Sequence, residues 1–350
     1  MRAILVDNEG ELVLGEVPDP VCGDDELRIE VRATAVNRAD LLQRRGLYPP
    51  PEGASPILGL EAAGRVLEAG PAARAAGFAV GQRVMALLAG GGYAEQVTMP
   101  FCQAMPVPAR LSDEEAAAVP EAFLTAFLNL FLLGGLPWRG EGKGETPPPT
   151  VLIHGGASGV GTAALQLCRA SGVTALCTVG SQERGVRCQA LGAAFFWDYH
   201  RGDFAPAVLA YTEGRGVDLV LDCIGGPYLE QNLRVLRPEG RLVCIGLQGG
   251  SRGELDLALL LRRRLTVRGS TLRALPVARK GALVQRFSQT VLPLLATGEV
   301  VPVIDRVLPL TQAAAAHQAL QGPHVGKIVL RVHPEDFPPG PLAQPLRSEG

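Results

Sequence analysis

The chain reads in two parts that space their apolar side chains differently. Over about the first 120 residues apolar positions fall in short alternating runs, as in Leu27 to Val31 (LRIEV) and Gly64 to Leu67, separated by turn residues, with little helical spacing. Alternation with a period of two marks strands that bury one face and wet the other, so this part is predicted to be mostly β. From Val151 onward the runs become nearly continuous: VLIH at 151, ALCTV at 175, AFFW at 194, DLVLD at 218, RLVCIG at 241 and LTVRG at 265. Strands without a polar face are buried on both sides. Six of them with helical stretches between predict an α/β doubly wound parallel sheet covered on each face. After about residue 273 the spacing predicts a helix over Ala282 to Ala296, then VIDRVLPL and a closing strand from Lys327 to Val332.

Glycine (43) and proline (28) cluster at Tyr48 to Gly53, Gly134 to Pro149 and Pro334 to Gly350. The second cluster reads as a surface insertion over 134–149 and the third as a frayed tail, disordered over 336–350. The longest uncharged apolar run, Ala122 to Trp138, is broken by Gly134, Gly135 and Pro137 and falls short of the roughly 20 residues a membrane span needs, so it reads as a buried helix.

With 33 basic and 35 acidic side chains the net charge is −2, and no like-charged block exceeds Arg262, Arg263 and Arg264. A phosphate backbone needs a basic stripe, so nucleic acid is not expected as a partner. The seven cysteines (Cys22, Cys102, Cys168, Cys177, Cys188, Cys223, Cys244) are odd in number and form no CxxC pair. Together with an amino terminus that alternates like a strand and carries no targeting segment, they point to a reducing, cytoplasmic setting.

The chemistry concentrates after the strand VLIH. It runs directly into Gly155-Gly156-Ala157-Ser158-Gly159-Val160-Gly161 and then into a helical TAALQLCRASG. Strand, glycine turn and helix occur in the order of a dinucleotide fold, and the loop reads Gly156-x-Ser158-x-x-Gly161 against G-x-G-x-x-G. Small residues let the backbone approach a pyrophosphate, whose charge then rests against the free N–H groups of the helix start. The next strand, TALCTV, ends in Gly180-Ser181-Gln182-Glu183-Arg184 with no acid at its tip to accept a ribose hydroxyl. Gly180 leaves space, Ser181 donates a hydrogen bond, and the Arg184 fork suits a phosphate, so NADPH is the expected cofactor. The competing reading makes Arg184 a solvated cation at a helix start, neutralised by Glu183.

These residues, with others in the same order, resemble the zinc-independent, zeta-crystallin-like quinone oxidoreductases of the medium-chain dehydrogenase/reductase superfamily. Within that branch the likeness is greatest to the tumour-suppressor-inducible NADPH:quinone reductases. The matching pieces are Asn37-Arg38-Ala39-Asp40-Leu41, Gly46-Leu47-Tyr48-Pro49, Gly59-Leu60-Glu61, Gly92-Tyr93-Ala94-Glu95, Pro120-Glu121-Ala122, Thr125-Ala126, the loop Gly155 to Gly161 with Gln166, Gly180-Ser181, Asp222 to Gly226 and Gly326-Lys327. The resemblance runs from residue 1 to about 332. It implies a chaperonin-10-like β domain over 1–122 and 273–335, a Rossmann NADPH-binding domain over 123–272, a cleft between them, and a homodimer joined at nucleotide-domain edge strands. The chain departs from relatives at Glu183-Arg184, where they tend to carry lysines, and in its longer 134–149 linker.

Metal-dependent members of that superfamily hold a Lewis acid with thiolate and imidazole ligands. Here Ala35-Val36-Asn37-Arg38, Leu60 in the Gly-x-Glu segment and Pro120-Glu121-Ala122 offer none, and the five histidines show no ligand spacing. No zinc is expected. A substrate reduced without a metal must spread the arriving charge itself, as a quinone or conjugated enone does. The resemblance implies Asn37, Asp40 and Tyr48 as catalytic or substrate-contact residues. Asn37 as a helix N-cap supported by Asp40, and Tyr48 as an anchor of a Pro-rich loop, are the alternatives.

For the cofactor the resemblance implies Asn37 and Thr125 on the nicotinamide side, and Gly156, Ser158, Gly159, Val160 and Gly161 at the pyrophosphate. Gly180, Ser181, Arg184 and Tyr199 fall at the adenosine phosphate. Cys223-Ile224-Gly225, Gly246-Leu247, Ser270-Thr271 and Lys327 complete the set, with sheet packing the alternative for Cys223 and Leu247. The function expected is an NADPH-dependent reductase of quinones or related conjugated carbonyls. An NADPH-binding, crystallin-like protein with little turnover and an enoyl-thioester reductase are the alternatives.

Overall fold

The computed structural model describes residues 1–139 and 148–332. Part of the 134–149 insertion and all of the 336–350 tail therefore lie outside the described residues. The described residues form two compact units: Met1–Leu124, Leu272–Gly298 and residues 302–332 make the first, and those within Thr125–Thr271 together with Glu299–Val301 make the second.

The first unit is a GroES-like β fold. Its main sheet has the order Ile304–Pro309, Lys327–Arg331, Glu26–Val36, Glu61–Ala69, Arg83–Leu87, Ala104–Pro106, with Gln96–Pro100 also paired to Glu26–Val36. The strand Glu26–Val36 is the hub. Its alternation buries Leu27, Ile29 and Val31, which pack with Val66, Val84 and Ile328 in one core. The last strand, Lys327–Arg331, pairs antiparallel with Ala33 to Val36, so the far end of the chain is stitched beside the residues just before Asn37. Where Glu61–Ala69 crosses the hub strand, a β-carbon at Gly64 would overlap the Glu30 carbonyl. Glycine there permits the bulge in the pairing.

The second unit is a Rossmann-like sheet of six parallel strands in the order Ala193–Asp198, Thr174–Val179, Thr150–Ile153, Val217–Asp222, Leu236–Cys244, Thr266–Gly269. Leu152, Leu176, Val220 and Leu242 are buried along its centre, as near-continuous apolar runs require. Parallel strands end on one edge, so the turns after Ile153, Val179, Asp198, Asp222, Cys244 and Gly269 gather there.

Two elements depart from the sequence expectation. The helix expected over Ala282 to Ala296 spans Val277–Thr290, opened by Pro276, and a second helix, Leu292–Thr297, follows it. Proline just ahead of Val277 presets the entry, and Pro293 marks the second start. The run from Ala122 is α-helical in Pro120–Phe127 and then widens to a π turn over Leu128–Leu133. There the Asn129 side chain takes the Thr125 carbonyl at 2.8 Å, the acceptor an α-helix would give to the Asn129 N–H.

Candidate functional site

In the first unit a chain of buried polar groups surrounds Asn37. Asn37 precedes the short helix Arg38–Arg44, and Asp40 reaches back to accept the Asn37 N–H at 2.7 Å while also accepting the Gly59 N–H at 3.0 Å. The Asn37 side chain donates from Nδ2 to Glu61 Oε1 at 2.9 Å and accepts from Lys327 Nζ at 2.5 Å. Lys327 completes its three donations at Glu61 Oε1, 2.7 Å away, and the Val36 carbonyl, 3.2 Å away. Glu61 Oε2 takes the Glu121 N–H at 2.8 Å. The Lys327 and Glu61 side chains are 5% and 0% exposed, so this ion pair works in low dielectric.

Behind Asp40 lies a second polar pair. Tyr93 is fully buried, its hydroxyl 3.1 Å from His317 Nε2. Burial pushes the Tyr93 phenol well up and the His317 imidazole down to about 4, so both stay neutral at ordinary pH. Burial also raises Asp40 to about 6 against the opposing pull of its two N–H donors and Lys327.

Tyr48 is half-buried on the loop after the helix Arg38–Arg44, and the Arg273 guanidinium stands 5.4 Å over its ring. Arg273 is itself held by the Ala89 carbonyl at 2.8 Å and Gln43 Oε1 at 2.7 Å. Desolvation, then Glu121, raises the Tyr48 phenol, which keeps its proton at neutral pH.

In the second unit the glycine turn leads into the helix Gly159–Ser171. Ser158 caps it, accepting the Gly161 N–H at 3.0 Å, and the Ser158 carbonyl takes the Thr162 N–H. The N–H groups of Gly159 and Val160 have no intrahelical acceptor. A β-carbon at Gly156 would press on the sulfurs of Cys177 and Cys188, and one at Gly161 on the Gly155 and Gly156 carbonyls. The turn is thus a cradle that only glycine keeps open, with a donor pair at its rim, which is what a phosphate group needs.

Four of the predicted residues meet at the end of the next strand. Ser181 Oγ accepts from the Arg184 backbone N–H at 3.3 Å and from its Nε at 3.2 Å. Gly180 lies against both the Arg184 guanidinium and the Tyr199 hydroxyl, and a β-carbon there would stand 2.7 Å from Arg184 Nη2. On the same edge Asp222 accepts the N–H groups of Ile224 (2.7 Å) and Gly225 (3.1 Å), and Gly225 needs its φ of +89°. Cys223 Sγ points to the His154 carbonyl at 3.4 Å, as a packed residue would. Leu247 is 59% exposed, so sheet packing does not account for it. The Ser270 N–H is taken by the Cys244 carbonyl at 2.9 Å, and Thr271 is exposed. His154 is a core residue bonded to Thr178 and Asn232, its pKa pushed down to about 4 by burial.

The structure thus groups Asn37, Asp40 and Lys327 in the first unit, and the glycine turn with Gly180, Ser181, Arg184 and Tyr199 in the second. Thr125 belongs to the second unit, Asn37 to the first. Sequence reading gave no role to Glu61, Tyr93, Glu121, Arg273, Lys280 or His317. The available signal was ionisable residues inside apolar stretches, such as Glu121 within Ala116 to Phe127.

The family model of the alcohol dehydrogenase GroES-like domain matches residues 23–109, and that of zinc-binding dehydrogenases matches residues 191–330. The human synaptic vesicle membrane protein VAT-1 homolog is 33% identical over 333 residues, covering 90% of this chain and 81% of that protein. The chain belongs to the medium-chain dehydrogenase/reductase superfamily. Among solved structures, the quinone oxidoreductase of Thermus thermophilus is 34% identical with a TM-score of 0.78, covering 95% of this chain and all of that one. The highly reducing polyketide synthase poxF of Penicillium oxalicum is 32% identical over 323 residues, which are 89% of this chain and 12% of the synthase. The chain therefore spans about an eighth of the length of such curated relatives. Although one matching model of this superfamily is named for zinc, no group of three His, Cys, Asp or Glu side chains that could hold a metal ion occurs among the described residues. No helix among them is long and apolar enough to cross a membrane.

Removing the Lys327 ammonium leaves Glu61 buried without its cation. Lys327→Met is expected to cost about 3–5 kcal/mol in denaturant unfolding, and a loss below about 1 kcal/mol would contradict the reading of this pair.

Proposed function

We propose that the chain is an NADPH-dependent reductase of quinones or related conjugated carbonyls that works without a metal ion. The observation that carries this reading is the glycine cradle, with open N–H donors at Gly159 and Val160 and the Arg184, Ser181 and Tyr199 cluster in place of an acid at the strand tip. Gly156, Ser158, Gly159, Val160 and Gly161 hold the pyrophosphate. Arg184 and Ser181 grip the ribose phosphate beside Tyr199. Ile224, Gly225, Gly246, Leu247, Ser270 and Thr271 border the cofactor on the same sheet edge. The bound cofactor supplies a hydride.

Tyr48 offers a flat ring and a protonated hydroxyl to the substrate. Asn37, Asp40 and Lys327 are committed to one another by the hydrogen bonds described above, so their work is to hold the polar lining. The Thermus enzyme's name and its NADPH complex support the cofactor and the acceptor class. All seven cysteines are free thiols, which supports an intracellular setting. The enoyl-thioester alternative keeps one specific support, the likeness to polyketide synthases.

The edge strand Thr266–Gly269 is exposed along its length, with Leu257 and Leu261 of the neighbouring helix 59% and 76% exposed. A second copy paired along this edge would cover both. Light scattering is expected to return twice the mass of one chain, and a single-chain mass contradicts the dimer.

NADPH oxidation with 9,10-phenanthrenequinone against an enoyl thioester separates the readings. Quinone turnover is expected. Thioester turnover alone favours the second reading, and tight NADPH binding with neither favours a binding protein. Arg184→Ala is expected to raise the NADPH dissociation constant about 10- to 100-fold, the range of a charge-assisted hydrogen bond, and to leave NADH nearly unchanged. Equal effects on both would remove the phosphate assignment.

A further inference from the structure

The first unit holds three carboxyl groups close together, Asp40, Glu61 and Glu121, and they are not equally provided for. Asp40 accepts two backbone N–H groups. Glu61 accepts from Asn37, from the Glu121 backbone and from the Lys327 ammonium. That ammonium has no donor left, having also bonded Asn37 Oδ1 and the Val36 carbonyl. Glu121 receives nothing of the kind. Its Oε2 is enclosed and has no hydrogen-bond partner among the described residues, while the residue as a whole keeps some accessible surface. An ionised carboxylate so placed would keep one enclosed oxygen without donor or contact cation, beside the negative Glu61. A protonated carboxyl avoids that cost.

A cation stands in reserve. Lys280, on the helix Val277–Thr290, is only 4% exposed, and among the described residues its ammonium makes no hydrogen bond. Burial is the largest influence on it and lowers its pKa; the attraction of Glu121 opposes that and the repulsion of Arg273 adds to it. Tyr48 lies within the electrostatic reach of the same Glu121. A neutral acid within electrostatic reach of an ammonium can release its proton without leaving an uncompensated charge.

Resting on the reductase reading above, we propose that Glu121 is the proton donor of the reaction. After hydride reaches the substrate, the substrate oxygen carries the negative charge. The Glu121 O–H breaks, the new O–H forms on that oxygen, and the carboxylate left behind lies within the electrostatic reach of Lys280. Water returns the proton once product leaves. Neither Asp40 nor Tyr93 is consumed in this step.

The groups facing Glu121 fix the sign of its pH dependence. Burial is the largest influence and raises its pKa. Glu61 raises it further, Lys327 lowers it, Asp40 raises it, Lys280 lowers it, and the balance is about 8. Arg273 and Tyr48 complete the surroundings. The donor is therefore loaded below about pH 8 and lost as pH rises through that value.

The test has two arms. Infrared difference spectra of the protein without nucleotide are expected to show a carboxylic-acid carbonyl band that titrates near pH 8 and is missing from Glu121→Gln. In quinone reduction the wild-type kcat is expected to fall above about pH 8. Glu121→Gln should lower kcat about 100-fold or more and flatten that limb, a loss typical of a removed general acid. Glu121→Asp should restore part of the rate and a limb, and Lys280→Met should move the limb to higher pH. Tyr48→Phe should keep it.

No band titrating near pH 8, or a Glu121→Gln enzyme with the wild-type rate and limb, overturns the proposal and leaves the reductase reading standing. A wild-type protein that reduces neither quinone nor enone contradicts that reading first, and proton delivery falls with it.

Discussion

One ammonium group organises the polar interior of the first unit. Lys327 enters from the last strand and meets Asn37 from the end of the hub strand and Glu61 from the start of the next. Its three protons go to three acceptors, so the register that sets Ile328 opposite Val36 is bound to the placement of a charge. A buried ion pair seldom adds much net stability, but it is costly to break and fixes what lies around it. Here it fixes the amide of Asn37, and through the Glu121 N–H it also fixes the start of the helix Pro120–Phe127.

The second unit obeys a different constraint, the distance at which a backbone can approach a ligand. Cys177, Cys188 and the Gly155 and Gly156 carbonyls leave no room for side chains at Gly156 and Gly161, and Ser158 satisfies one helix-start donor while leaving two. Specificity is then a matter of what stands at the next strand tip. Arg184 is held by Ser181 before any ligand arrives, which lowers the entropy cost of gripping a phosphate.

The parallel strands and glycine turn were legible in the sequence because each is written locally, as an apolar run followed at once by small residues and a helix. The pairing of the last strand, Lys327–Arg331, with the hub strand Glu26–Val36 was not, although the resemblance implied a domain built from both chain ends. The polar cluster was legible only in part. The support of Asn37 by Asp40 was open to reading as a helix cap three residues long, but the bond from Lys327 to Asn37 depends on strand pairings across some 290 residues of chain. Glu121 was noted for lacking a thiol, and its own carboxyl went unread. The helix Val277–Thr290 starts before Ala282 because a proline start outweighs its weaker apolar spacing, and the π turn after Phe127 answers to one side chain, Asn129.

The chain thus carries a superfamily fold whose described residues offer no metal-ligand set, and it concentrates carboxyl chemistry in the GroES-like unit instead. Of the three carboxyls only Glu61 has a contact ammonium, and the account stands on which of them keeps a proton. Neutron diffraction from crystals at neutral pH reads this directly. Deuterium on the Glu121 carboxyl, with none on Glu61, is the predicted map; a bare Glu121 with the deuteron on Glu61 would contradict it.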